Sequence, residues 1–171
     1  MLIAFASCKT EPKVTSIELI KSEEIQTAIF NCLMIVTENV IDSSIRKDSL
    51  AFLVLPLEAS CPSCRKKALD SIIVHEKNLK MNHFIVLSAN SNQRTMRGYF
   101  LDRHSDLPDM ENRLFLDSTN QAGRMNLYEM KPTIYYTFNE RAYKRVGAIP
   151  MTVKEDLREF FSGHRHSKHK K

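Results

Sequence analysis

Leu50-Ala51-Phe52-Leu53-Val54-Leu55-Pro56-Leu57 carries no polar side chain. An unbroken apolar run of this length marks a strand covered on both faces, inside a sheet rather than at its edge. Just beyond it, Cys61-Pro62-Ser63-Cys64 opens a segment in which Ala68, Leu69, Ile72 and Ile73 recur at helical spacing. Pro62 suits the first helical turn, where its missing N–H leaves no bond unmade. Two thiols therefore stand at a strand-to-helix junction, where unpaired backbone N–H groups and the positive end of the helix dipole favour a thiolate. Cys61 is the expected nucleophile and Cys64 the resolving thiol, since two intervening residues keep both sulfurs within bonding range. Arg65, Lys66 and Lys67 add positive charge to the first turn, which is expected to lower the Cys61 pKa while opposing the dipole.

The remaining patterns supply the other layers. Ile25, Ala28, Ile29, Cys32, Leu33, Ile35, Val36 and Val40 recur at steps of three and four, which predicts an amphipathic helix over 22–42. Strands are expected over 83–89, 112–117 and 133–138, a helix over 92–103, a short helix or turn over 120–127, and a turn at Asn139-Glu140-Arg141 leading to a hairpin partner over 142–148. Thr152 and Glu155 have capping-box spacing and open a last helix through Leu157, Phe160 and Phe161 that ends at Gly163. Strands alternating with helices, then a hairpin and a closing helix, predict an α/β fold with a central mixed sheet, helices on both faces and an extra N-terminal helix.

With a CxxC at the first strand-helix junction, this order resembles the thioredoxin superfamily over 50–161, and within it the membrane-tethered, extracytoplasmic TlpA-like reductases. The resemblance implies a thioredoxin-like fold and a thiol-disulfide oxidoreductase acting on exported proteins or apocytochromes. It implies a cis-proline opening the hairpin strand, which places Pro132 beside the cysteines, with the backbone of Lys131 and Thr133 free to pair with a substrate peptide. Pro62 and Ser63 would complete the substrate-binding surface, and Gly147 matches the family's glycine before the final helix. No cofactor is implied beyond a redox-active Cys61–Cys64 disulfide. The implied partners are thiols or disulfides of exported proteins and an upstream membrane or thioredoxin-type electron donor. Ser60 stands where members commonly carry an aromatic residue, and the chain has no tryptophan. Leu53, Val54 and Leu55 offer no buried acid beneath the motif, and Lys67 stands where some relatives carry a glutamate. Glu58, the carboxylate nearest in sequence, is therefore the candidate proton acceptor.

The net charge of +5 narrows the partners once it is located. Of the 25 basic residues, Arg165, Lys168, Lys170 and Lys171 lie in the 164–171 tail, leaving 21 against 20 acidic residues. A near-neutral body without interleaved aromatics argues against nucleic acid, and the tail reads as a solvated, disordered end. No stretch approaches the roughly 18 apolar residues of a membrane span. Leu2-Ile3-Ala4-Phe5-Ala6-Ser7-Cys8 resembles the end of a bacterial lipoprotein signal, with Cys8 lipidated and 9–13 as a spacer. That reading makes 1–13 a trimmed signal and spacer, 14–163 the folded domain, and the location the cell envelope or periplasm, tethered to the membrane by lipid. A cytoplasmic protein with an untethered apolar N-terminus is the alternative.

Cys32 falls on an apolar stripe and is expected to be buried and inert. His75 and His83 read as ordinary surface or boundary histidines. No metal site is expected, because zinc usually takes two close ligand pairs and only one is present. Two other functions fit a CxxC: an interaction module whose cysteines form a static disulfide, and a metal-handling protein.

Overall fold

The computed structural model describes residues 17–162. Strand β2 (Leu50–Pro56) is buried at every position and lies between β3 (His83–Ser88), which runs parallel to it, and β5 (Thr133–Phe138), which runs antiparallel. Beyond β3 lies the parallel strand β4 (Leu114–Asp117), and beyond β5 the antiparallel strands β6 (Arg141–Gly147) and β1 (Ile17–Leu19). The result is a six-stranded mixed sheet in the order β1-β6-β5-β2-β3-β4.

Alternation along the two central strands divides the apolar side chains between two cores. Ala51, Leu53, Leu55, Ile85 and Leu87 face one side, where they pack with Ala68, Leu69 and Ile72 of α2 (Pro62–His75). Met96 and Phe100 of α3 (Gln93–Leu101) and Leu157, Phe160 and Phe161 of α5 (Val153–Ser162) complete that core. Leu50, Phe52, Val54, Phe84 and Val86 face the other side, against Phe30, Leu33, Met34 and Val36 of α1 (Glu23–Val36) and Ala122 of α4 (Gln121–Arg124). A period of two on a strand that is apolar throughout therefore demands two helical layers, and helices flank both faces.

Several boundaries differ from those the sequence predicts. The first helix ends at Val36 rather than 42: Thr37 turns its hydroxyl back onto the Leu33 and Met34 carbonyls, and Glu38 and Asn39 take left-handed φ values of 55° and 56°. Val40 continues the apolar period but is an exposed part of that turn, because side-chain spacing does not register backbone caps. The helix predicted over 92–103 is α3, which stops at Leu101, and the short helix or turn predicted over 120–127 narrows to α4. Strand β4 begins at Leu114 rather than 112. Asn139 and Glu140, both left-handed, make the hairpin turn, while Arg141 already belongs to β6. The hydroxyl of Thr152 donates to Asp156 at 2.6 Å rather than closing a box with Glu155. Strand β1 was not expected; it is three residues long with two exposed, and it owes its place to pairing with β6. Gly163, Cys8, the 1–13 segment and the 164–171 tail lie outside the described residues.

Candidate active site

Because β2, β3 and β4 are parallel, their C-terminal ends meet at one edge of the sheet. The registers Pro56 with Ser88 and Ser88 with Asp117 set this alignment. Strand β5 begins at the same edge, with Thr133 opposite Val54. In open α/β sheets this edge, where the chain leaves β2 and its neighbours diverge, is the usual place for chemistry. Helix α2 starts there.

The loop between β2 and α2 is tied down by main-chain groups. The Leu57 N–H donates to the Ser88 carbonyl at 2.8 Å and the Ser60 N–H to the Pro56 carbonyl at 3.3 Å. Arg65 folds back to donate from Nη1 to the carbonyls of Leu57 (2.8 Å) and Ser60 (3.4 Å), while its guanidinium lies 5.2 Å from the Tyr99 ring centre. Glu58 is exposed, and its carboxylate accepts the Asn90 N–H at 3.1 Å, linking this loop to the one after β3.

Cys61 caps α2 in an extended conformation, and Pro62 begins the helix as its type favours. The Cys61 Sγ accepts the Cys64 N–H at 3.4 Å and lies 3.3 Å from both Ser63 Oγ and Cys64 Sγ. Both cysteines are free thiols, and the sulfurs need only close to about 2.05 Å to bond. Their environments differ. Cys61 is partly exposed, and the Ser63 hydroxyl, followed by the Cys64 N–H and the Cys64 thiol, lowers its pKa to about 7. Cys64 is 1 % exposed; burial first, then the hydrogen bond to Cys61 and the charge Cys61 carries, push its thiol up, while Ser63 and Lys67 pull the other way. With Cys61 ionised, Cys64 is the donor between the two sulfurs.

These causes correct the expected role of the basic residues. Arg65 is occupied by carbonyls, Lys66 is exposed, and Lys67 Nζ donates to the Pro150 carbonyl at 3.4 Å and acts on Cys64. Cys61 is made acidic by short-range hydrogen bonds. Ser63, expected to contact substrate, supplies the largest of them. The one signal in the sequence was a hydroxyl side chain placed between the two cysteines.

Around β5 the structure departs from what the resemblance implies. No peptide bond among the described residues is cis, so Pro132 is trans. Pro132 and Thr133 are buried. The Pro132 carbonyl accepts the Ala148 N–H at 2.8 Å, and Thr133 sits between Val54 and Gly147, inside the sheet. Thr133 is thus already paired on both sides. Lys131 is half-buried, its carbonyl accepts the Thr133 hydroxyl at 3.2 Å, and its ammonium lies 3.4 Å from Glu129. Its side chain crosses Gly147, where an added Cβ would come within 2.5 Å of Lys131 Cε.

A polar cluster at the same edge was not anticipated. The Asp117 carboxylate accepts the N–H groups of Gln121 and Ala122, each at 2.8 Å, and the Ser88 hydroxyl at 2.7 Å. Asn120, held left-handed at φ 54°, accepts from Ser88 Oγ at 3.1 Å and from the Tyr128 hydroxyl. A Cβ on Gly123 would come closest to Asn120 Oδ1 and within 2.6 Å of that hydroxyl, so glycine is what lets Asn120 and Tyr128 close over α4. The Tyr135 hydroxyl donates to the Leu127 carbonyl at 2.9 Å. Together these bonds fix the 125–132 segment that delivers Lys131 and Pro132 to the edge.

Cys32 is half-buried on α1, where burial raises its pKa. His75 stacks on Phe161 at 4.7 Å between ring centres. His83 is buried against Phe160 rather than at the surface, and burial lowers its pKa to about 4. Among the described residues no group of three or more His, Cys, Asp or Glu side chains is placed to hold a metal ion, and no helix is long and apolar enough to cross a membrane. The sequence matches no family model and no curated protein.

Proposed function

We propose that this chain is a thiol-disulfide oxidoreductase built on a thioredoxin-like version of its mixed α/β sheet. The observation that carries the reading is the asymmetry of the dithiol: an accessible sulfur with a pKa of about 7 lies 3.3 Å from a buried sulfur that retains its proton. Exchange needs that division of labour. In the reducing direction the Cys61 thiolate attacks one sulfur of a substrate disulfide, forming a mixed disulfide and releasing a substrate thiolate that takes up a proton. Cys64 then gives up its proton and attacks Cys61 Sγ. The Cys61–Cys64 bond forms, the bond to substrate breaks, and the second substrate thiolate leaves and is protonated. Two electrons pass from the dithiol to the substrate, and the reverse sequence oxidises a substrate dithiol.

A protein substrate suits the surroundings. Met130 and Met151 are strongly exposed on the two loops joined by the bond from Ala148 to Pro132, and flexible thioethers adapt to varied apolar partners. We propose exported proteins as substrates and a lipid tether at Cys8, both resting on the 2–8 segment of the sequence.

The test is disulfide trapping. Cys64→Ser should accumulate mixed disulfides through Cys61, visible as thiol-sensitive adducts on a non-reducing gel, whereas Cys61→Ser should accumulate none. Equal trapping by both variants, or by neither, overturns the reading. A pair potential well below about −300 mV would instead mark a static disulfide.

A further inference from the structure

The charged groups around the first turns of α2 nearly all have close partners of their own. Arg65 is committed to the carbonyls of the preceding loop, Asp70 pairs with Arg103, and Lys131 pairs with Glu129. The Glu58 carboxylate accepts the Asn90 N–H at 3.1 Å. Lys66 is exposed. Lys67 differs from all of these. It lies three residues beyond Cys64, the spacing that stacks side chains on one face of a helix. It is half-buried, with its ammonium held 3.4 Å from the Pro150 carbonyl in the loop before α5. A lysine tethered in this way lays its stem along the protein while its ammonium stays at the surface beside the Pro150 carbonyl.

We propose that Lys67 serves the resolving half of the exchange: its ammonium, anchored on the Pro150 carbonyl one helical turn beyond Cys64, stabilises the thiolate that Cys64 must become in order to attack Cys61. The proposal rests on the oxidoreductase reading above. In the resting dithiol, the charge on Cys61 and its hydrogen bond with Cys64 oppose ionisation of Cys64, beyond the effect of burial. Both vanish once Cys61 is bonded to substrate, because its sulfur is then neutral. Burial remains against ionisation, and Ser63 and Lys67 are the groups that favour it in the free dithiol. The Cys64 proton passes to the departing substrate thiolate, directly or through water, as the Cys61–Cys64 bond forms. Lys67 is therefore a positioning residue for charge, whose influence on rate is felt at the second attack.

The aromatic disulfide 5,5′-dithiobis(2-nitrobenzoate) separates the two steps, since the attack by Cys61 and the resolution by Cys64 each release one coloured thiolate. The full chain carrying Cys8→Ser and Cys32→Ser leaves only the pair to react. In that background Lys67→Met should leave the first release and the Cys61 titration unchanged. It should slow the second release about three- to tenfold, because a smaller thiolate fraction is only partly offset by greater nucleophilicity. Lys67→Glu should slow the second release further, and Lys67→Arg should restore it. An unchanged second release in both Met and Glu variants overturns the proposal, as does equal slowing of both releases or failure of arginine to restore the rate. If unsubstituted Lys67 protein gives no second release at all, the oxidoreductase reading itself falls, and the role of Lys67 with it.

Discussion

At the scale of single residues, the chemistry of the dithiol depends on what reaches the Cys61 sulfur. The Ser63 hydroxyl at 3.3 Å is the largest influence, so Ser63→Ala should raise the Cys61 pKa and cut its alkylation rate at neutral pH by about three- to tenfold, with little change in the rate at high pH. Iodoacetamide kinetics against pH measure both limits. In the unsubstituted chain the same rate should climb through a midpoint near 7, since a thiolate stabilised by hydrogen bonds forms below the ordinary thiol range. The closeness of the two cysteines and their place at the start of a helix were legible from their spacing and from the helix they begin. The part played by Ser63 was not, because a rotamer on the first helical turn decides whether its hydroxyl faces substrate or sulfur. Arg65 is a similar case: its charge is visible in the sequence, yet whether it acts on Cys61 or on two carbonyls depends on the path of the 57–60 loop.

At the scale of elements, β2, α2, β3 and the β5–β6 hairpin are readable because each has an apolar period or a turn of strong type. The short pieces are less so. Strand β1 depends on β6, a partner distant in sequence, while α4, expected as a short helix or turn, takes its bounds from the Asp117 carboxylate that accepts its first N–H groups. Gly123 marks this dependence, since its lack of a side chain makes room for Tyr128. Gly123→Ala should cost about 1–3 kcal/mol by crowding the Asn120 amide and the Tyr128 hydroxyl, measured by urea unfolding. Combined with Asn120→Gly, the loss should fall short of the sum of the single changes, because the nearest clashing atoms are already gone. Additive losses would show that the crowding lies elsewhere.

At the scale of the whole molecule, two cores share one sheet, and the side chains from Leu50 to Leu55 of β2 alternate between them. Leu53→Ala at the centre should therefore destabilise by about 2–5 kcal/mol in the same unfolding measurement, as large-to-small changes at sealed sites do. His83 adds a pH dependence. Its pKa is about 4 in the fold, against about 6.5 for an ordinary imidazole, so the unfolded chain binds the extra proton first. The stability it confers is present above pH ~6.5 and is lost as pH falls toward ~4. His83→Phe should flatten that acid limb, with thermal unfolding at several pH values as the check.

The sequence by itself determined the alternation of strands and helices, the interior position of β2 and the placing of two thiols at the start of a helix, because these follow from local period and from turn chemistry. Tertiary structure alone decided which groups touch the sulfurs, that Pro132 is trans, that Thr133 is sealed between two strands, that Lys67 reaches the Pro150 carbonyl and that Glu58 accepts the Asn90 N–H. Those outcomes depend on where distant segments of chain are brought together at one edge of the sheet, and no periodicity along the chain carries that information.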